Sequence, residues 1–138
     1  MNHFRAFVAG FVSTLVFHQA VILVFNLLGA IPFGPWSMAP TQPLGVPAVI
    51  SLAFWGGVWG VALWPLLRGA AGRAYWIRAV VLGALGPTLV AFLIVAPMKG
   101  RPIGMGWDPK LWIGGFIVNA AWGYGLALLL RTFKRFGL

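Results

Sequence analysis

The chain has 138 residues, of which 61% are hydrophobic and 8% are charged, and its formal net charge is +9. This excess of apolar residues is typical of integral membrane proteins. With no cysteine and one acidic residue, Asp108, a single chain has no disulfide, no cysteine-ligated metal and no carboxylate pair for catalysis, so we predict no catalytic residue and no metal site.

Four apolar stretches are long enough to cross about 30 Å of hydrocarbon as helices. They cover roughly residues 7–30, 47–67, 77–96 and 111–130. Backbone groups in lipid must be satisfied within the segment, and the stretches lack the period of two that strands would show. The sequence therefore predicts an all-α integral membrane bundle of four transmembrane helices, forming one domain over residues 1–138.

The first stretch carries several polar side chains on one face. At about 100° per residue, Thr14, His18, Gln19 and Asn26 fall within one arc of the helix. Polar groups turned towards lipid cost free energy, and a histidine inside a membrane span normally faces a bundle interior. We therefore expect this face to point at protein.

Small residues on the second and fourth stretches predict close helix packing. Glycines at such positions let two backbones approach each other. A bundle this small is not expected to bury all of them by itself, so we expect several to face a partner. The predicted helix-packing glycines are Gly56, Gly57, Gly60, Gly115 and Gly123.

We predict a buried polar cluster made of His18, Gln19, Thr88 and Asn119, because these residues fall at similar depths along their helices. One interpretation is structural, with interhelical hydrogen bonds fixing the helix register. The other is functional: His18 could line a proton or solute path, ligate a haem or chlorophyll, or donate a hydrogen bond to a quinone carbonyl.

Basic residues predict the orientation of the chain. Seven flank the N-terminus, the second connection and the C-terminus, whereas three lie in the third connection. This bias places both termini in the cytoplasm. Because the cations cluster at helix ends, where they meet lipid headgroups, we expect no nucleic-acid partner.

The two outer loops are rich in proline and glycine. Trp36 and Trp107 are expected at headgroup depth, as is Trp112 at the start of the fourth stretch. Asp108 precedes Pro109 and is predicted to start a turn at the N-terminus of the fourth helix, with Arg101 as one candidate partner.

The segments WGVALWPLLR (59–68) and WGYGLALLLR (122–131) match at an offset of 63 residues. Duplication would make the two helical hairpins parallel repeats related by an axis along the membrane normal. Convergence on a common packing pattern is the alternative.

The run SMAPTQPLGVPAVISLAFWGGVWG (37–60), with FHQ before it and NAAWG after it, resembles a group of small four-helix bacterial membrane proteins of uncharacterised function. The resemblance implies a bacterial inner-membrane protein. It implies no activity and no catalytic residue.

The leading expectation is a non-enzymatic structural or accessory subunit that lies in the lipid bilayer as a homo-oligomer or in a larger membrane complex. The alternative is a small oligomeric channel or transporter whose path is lined by the polar cluster. A third hypothesis is a subunit that binds haem, chlorophyll or quinone through His18.

Overall fold

The chain folds into four long helices, and the computed structural model describes all of residues 1–138. Helix α1 covers His3–Leu27, α2 covers Ala48–Leu67, α3 covers Gly72–Met98 and α4 covers Pro109–Phe136. Each is long and apolar enough to cross a membrane, and no strand is present. The predicted all-α fold with four candidate transmembrane helices is confirmed.

The helix ends differ from the predicted ranges because capping, rather than apolar content, decides where a helix stops. Asn2 accepts a hydrogen bond from the backbone N–H of Arg5 at 2.9 Å, so α1 begins before the predicted residue 7. It ends earlier than predicted because Gly29 takes a left-handed conformation with φ of 71°. Helix α4 continues past residue 130 to the left-handed cap at Gly137.

Helices α1 and α3 each contain a π-turn, at Thr14–His18 and Ala91–Val95. A π-turn adds one residue to the local helical turn, so the side chains that follow it are rotated relative to a regular helix. Thr14 and Gln19, five residues apart, are accordingly both buried. The predicted polar face of α1 is therefore not a single regular stripe.

The helices form a ring in which α1 packs on α2 and α4, and α3 packs on α4 and α2. Helices α1 and α3 lie diagonally across the bundle, as do α2 and α4. Both termini and the short connection between α2 and α3 lie at one end, called here the terminal end. The connections 28–47 and 99–108 lie at the other, called here the outer end.

Glycines bring α1 and α2 into backbone contact. A Cβ atom added to Gly60 would overlap the carbonyl oxygen of Ala6, and one added to Gly10 would overlap the carbonyl of Gly56. The neighbouring Gly57 makes room for a phenylalanine ring of α1. No larger residue fits this crossing without moving a helix.

The crossing of α3 and α4 is built in the same way. A Cβ on Gly123 would overlap the carbonyl of Ala79, and Gly83 lies directly opposite. Gly115 makes room for Thr88 and a phenylalanine ring of α3. The helix-packing glycines are thus used inside the chain, which corrects the expectation that several of them would face a partner.

The two hairpins share one packing arrangement. Gly60 packs against RAFVAG (5–10) and Gly123 packs against RAVVLG (78–83), so the same contact occurs twice. The α2 and α4 segments match at an offset of 63 residues, whereas the α1 and α3 segments match at 73. The outer connection of the first hairpin is longer than that of the second. The α1 and α3 segments therefore do not align at the offset that aligns α2 with α4. This arrangement favours the duplicated-hairpin interpretation, with an approximate two-fold axis along the bundle.

The buried apolar core lies in the half of the bundle nearest the terminal end. Leucines of α2 and α4 that correspond in the repeat meet there across the approximate axis. The core cluster consists of Ala6, Ala9, Leu63, Leu67, Ala79, Trp122, Leu126, Ala127 and Leu130. The outer half contributes no residue to this cluster.

Candidate functional site

The connection between α1 and α2 folds back along α1 instead of leaving the bundle. Asn26, near the end of α1, donates its side-chain amide to the carbonyl of Phe33 at 3.0 Å and to that of Ile31 at 3.4 Å. The chain therefore turns at the end of α1 and runs back beside the part of that helix nearest the outer end.

Gln19 holds this connection in place. Its Oε1 accepts a hydrogen bond from the backbone N–H of Trp36 at 2.7 Å, and its Nε2 donates to Nδ1 of His18 at 3.1 Å. The Gln19 side chain is buried. A polar residue on an otherwise apolar helix thus satisfies a backbone group of non-helical chain, which lipid could not do.

The indole of Trp36 reaches further towards the bundle centre. Its Nε1 donates to the carbonyl of Leu15 at 2.8 Å, and Leu15 lies in the π-turn midway between the two ends of α1. We expected Trp36 at headgroup depth; the structure places its indole beside the middle of the helix instead. Trp36 also has a positive φ of 52°, an uncommon conformation for a non-glycine residue.

The same connection caps the start of α2. The backbone N–H of Val49 donates to the carbonyl of Ser37 at 2.9 Å, and that of Ala48 donates to the carbonyl of Ala39 at 2.9 Å. Two otherwise unpaired donors at this helix end are thereby satisfied. We call residues 28–47 the re-entrant loop.

His18 carries a hydrogen-bond donor that its own chain does not use. The Gln19 Oε1 faces a backbone N–H, which can only donate, so its amide Nε2 must face His18. Nδ1 of the imidazole therefore accepts, and in neutral imidazole the proton then lies on Nε2. This Nε2–H has no acceptor among the side-chain hydrogen bonds of the chain.

The neighbouring side chains of α1 place His18 on a face directed at the bundle, but the ring is not enclosed: no buried side-chain nitrogen or oxygen lacks a hydrogen-bond partner, so its unpaired Nε2 lies at an accessible surface. Thr14 packs against Gly56 of α2, and Phe17 packs against Gly125 of α4. His18, on the next turn after Thr14, falls between these two directions. Its side chain is half-buried, so the space around it in the outer half is not sealed.

Thr88 and Asn119 form a separate pair between α3 and α4. Asn119 donates its amide to Oγ1 of Thr88 at 2.8 Å, and Thr88 donates to the carbonyl of Gly115 at 3.2 Å. No hydrogen bond joins this pair to His18 or Gln19. The four residues of the predicted cluster therefore form two pairs, because α1 uses its polar side chains on the re-entrant loop.

The outer connection between α3 and α4 forms a tight left-handed turn. Trp107 stacks on Trp112 with ring centroids 5.6 Å apart, and the Trp112 indole donates to the carbonyl of Gly104 at 2.8 Å. Asp108 caps α4 by accepting from the backbone N–H of Lys110 at 3.0 Å. Arg101 is exposed, and no ion pair joins it to Asp108.

The arrangement limits what His18 can bind. With Nδ1 accepting from Gln19, Nε2 carries the proton, so binding haem iron or chlorophyll magnesium at Nε2 would require this proton to move to Nδ1 and the Gln19 amide to turn. A carbonyl oxygen, such as that of a quinone or a peptide, suits the free Nε2–H. No group of three or more histidine or acidic side chains is placed to hold a metal ion.

Sequence reasoning missed the role of Trp36 and the second match of the repeat. It also missed two bonds between α1 and α4, in which Ser13 donates to the carbonyl of Trp122 at 2.6 Å and the Trp122 indole donates to that of Gly10 at 3.0 Å. A signal for the repeat was present in RAFVAG and RAVVLG. No local pattern signals the contacts of Trp36.

Comparison with known proteins returns no relative. No protein-family model matches the sequence, and no curated protein or solved structure shows significant similarity to it. Function is therefore inferred below from the residues of this chain.

Proposed function

We propose that this chain is a non-enzymatic structural or accessory subunit that packs against a second copy of itself or a larger membrane complex. The Nε2–H of His18 carries the proposal, because it is a donor midway along a membrane-spanning helix with no acceptor in its own chain. Where lipid rather than water contacts this accessible N–H, leaving it unpaired costs roughly 2–7 kcal/mol. A peptide carbonyl or side chain of a second molecule would remove that cost.

The absence of the core cluster from the outer half supports this location for the contact. The core cluster lies wholly in the other half, and the π-turn of α3 packs on its own helix and the following turn rather than on α1 or α2. A segment of a partner could therefore approach His18 between α3 and the pair formed by α1 and α2. Packing there would complete the bundle.

The use of the hydroxyl groups supports a non-enzymatic role. Ser13, Thr14 and Thr132 each donate to a backbone carbonyl, at 2.6, 3.0 and 2.8 Å. None of them hydrogen-bonds to an imidazole, which would be needed to activate a hydroxyl nucleophile. The single carboxylate, Asp108, caps a helix.

We assign the terminal end to the cytoplasm of a bacterial inner membrane. The excess of Lys and Arg at this end supports the orientation. The compartment rests on the sequence resemblance of residues 37–60 alone, since no family model or curated protein matches the chain.

Energy transfer between donor-labelled and acceptor-labelled copies in liposomes tests self-association. We expect transfer that rises with the protein-to-lipid ratio and an association weakened by about tenfold in His18→Leu, since hydrogen bonds between membrane helices contribute about 1–2 kcal/mol. His3→Leu, the same change at the exposed histidine, should leave association unchanged. A chain that stays monomeric at every protein-to-lipid ratio would rule out the proposed self-association.

A small oligomeric channel or transporter is the second candidate. The re-entrant loop favours it, because non-helical backbone at membrane depth occurs where it is buried in protein or lines a water-filled cavity. His18 and Asn119 would line the path of the oligomer. Ion or solute flux into liposomes that is the same for the native chain and His18→Ala would count against this candidate.

A further inference from the structure

A basic cavity of about 350 Å³ opens at the terminal end of the bundle. It lies between the ends of α2 and α4 and the start of α3. Leu67 and Leu130 form its apolar floor, and Arg68, Arg131 and Lys134 line its wall. We propose that this cavity binds the phosphate headgroup of an anionic membrane lipid.

No acidic side chain lies near the cationic side chains of the cavity. Three cationic side chains and the N-terminal residue Met1 surround it. The only carboxylate side chain, Asp108, caps the opposite end of α4, a 28-residue helix. The cavity therefore carries a net positive potential that an anion would neutralise.

Aromatic rings hold two of the cations in position. The Arg68 guanidinium lies 5.1 Å from the centroid of the Trp64 ring. That of Arg131 lies 5.6 Å from the Trp76 ring and 6.0 Å from the Tyr75 ring. These contacts order the side chains before a ligand arrives, which lowers the entropic cost of binding.

The internal repeat explains why two arginines meet at one cavity. Arg68 and Arg131 occupy corresponding positions at the ends of α2 and α4, at the offset of 63 residues. They therefore lie on either side of the approximate two-fold axis. Two arginines lining one cavity suit the several oxygens of a phosphate, because each guanidinium can form paired hydrogen bonds with it.

The position and lining of the cavity favour a lipid over a soluble phosphate compound. It opens where the membrane-spanning helices end, at the depth of headgroups, and its floor is apolar. Ala71, which precedes α3, and Gly72, its first residue, also line it, and no side chain caps this helix. Backbone N–H groups add donors to the cationic wall.

Native mass spectrometry of the full chain in mild detergent, with equimolar phosphatidylglycerol and phosphatidylcholine, tests the proposal. We expect the native chain to retain phosphatidylglycerol in preference to phosphatidylcholine. Retention should fall by roughly tenfold to thirtyfold in Arg68→Gln/Arg131→Gln, since two cations near an anionic headgroup are removed. Arg101→Gln/Lys110→Gln, an equal loss of charge at the outer end, should retain the lipid.

Equal retention by the cavity variant and the native chain would overturn the proposal, as would equal losses in both charge variants. Circular dichroism establishes that each variant keeps its helices. If the glutamine variant does not fold, Arg68→Lys/Arg131→Lys replaces it, with reduced retention expected because lysine cannot bind a phosphate through paired hydrogen bonds. Displacement of the lipid by inorganic phosphate, with no preference between the two lipids, would contradict the lipid assignment.

Discussion

Gln19 donates its side-chain amide to Nδ1 of His18 at 3.1 Å while accepting the backbone N–H of Trp36 at 2.7 Å. The two bonds explain why an apolar helix carries a glutamine and a histidine side by side. Gln19 satisfies non-helical backbone within the bundle, and it sets the tautomer of the imidazole. The histidine is left with a donor that a second molecule can use.

Gln19→Leu should destabilise the protein by about 1–3 kcal/mol, because it leaves the partly buried backbone N–H of Trp36 without an acceptor. Unfolding in mixed micelles measures the loss. In this cysteine-free chain, a cysteine placed at Ser37 should also react faster with a thiol reagent once the re-entrant loop is released. Gln42→Leu, at the exposed second glutamine, should change stability by less than about 0.5 kcal/mol. Equal effects of the two changes would contradict the role of Gln19.

Gly123→Ala should cost about 1–3 kcal/mol, since the new methyl group overlaps the backbone carbonyl of Ala79 and a helix must move. The same unfolding measurement applies. Gly69→Ala is the matched control, because nothing lies within 4 Å of a Cβ there. A Gly123→Ala protein as stable as the control would show that the α3–α4 crossing is looser than described.

Thr88→Val should lower stability by about 0.6–2 kcal/mol. The change removes the acceptor of the Asn119 amide and the donor to the Gly115 carbonyl at nearly constant volume. Thr132→Val serves as the control, because that hydroxyl bonds only to Leu128 of its own helix. If both valine variants unfold alike, the pair between α3 and α4 does not hold the helices together.

Asp108→Ala should cost about 1 kcal/mol through loss of the cap at the start of α4. Asp108→Asn should retain most of the stability, because asparagine caps helices as well as aspartate does. Hydrogen exchange at the Lys110 amide provides a local measurement and should accelerate in the alanine variant alone. Equal exchange in all three proteins would mean that the cap is not formed.

The sequence predicts the number of helices and their approximate positions because long apolar runs can only be helical in lipid. It does not predict the ends of α1 or α4, which depend on capping by Asn2 and Gly137. The Thr88–Asn119 contact follows from depth along two helices. The partners of Gln19 cannot be predicted in this way. Trp36 reaches Gln19 and Leu15 from the re-entrant loop, and no periodic sequence pattern encodes the path of that loop.

The repeat shows a second limit of sequence reasoning. The glycines of α2 and α4 were expected to exceed what one chain could bury. Their partners are Ala6 and Gly10 on α1 and Ala79 and Gly83 on α3, which become apparent only when two different offsets are allowed. Small-residue faces therefore identify helix crossings without saying whether the crossing is within one chain or between two.

The most direct test of the His18 arrangement is the ¹⁵N NMR spectrum of its ring nitrogens in lipid bilayers. His3→Gln removes the only other histidine, so the signals belong to one residue. We predict an unprotonated Nδ1 and a protonated Nε2 at neutral pH. A proton on Nδ1, or on both nitrogens, would contradict the bond from Gln19 and remove the donor on which the proposed partner contact rests.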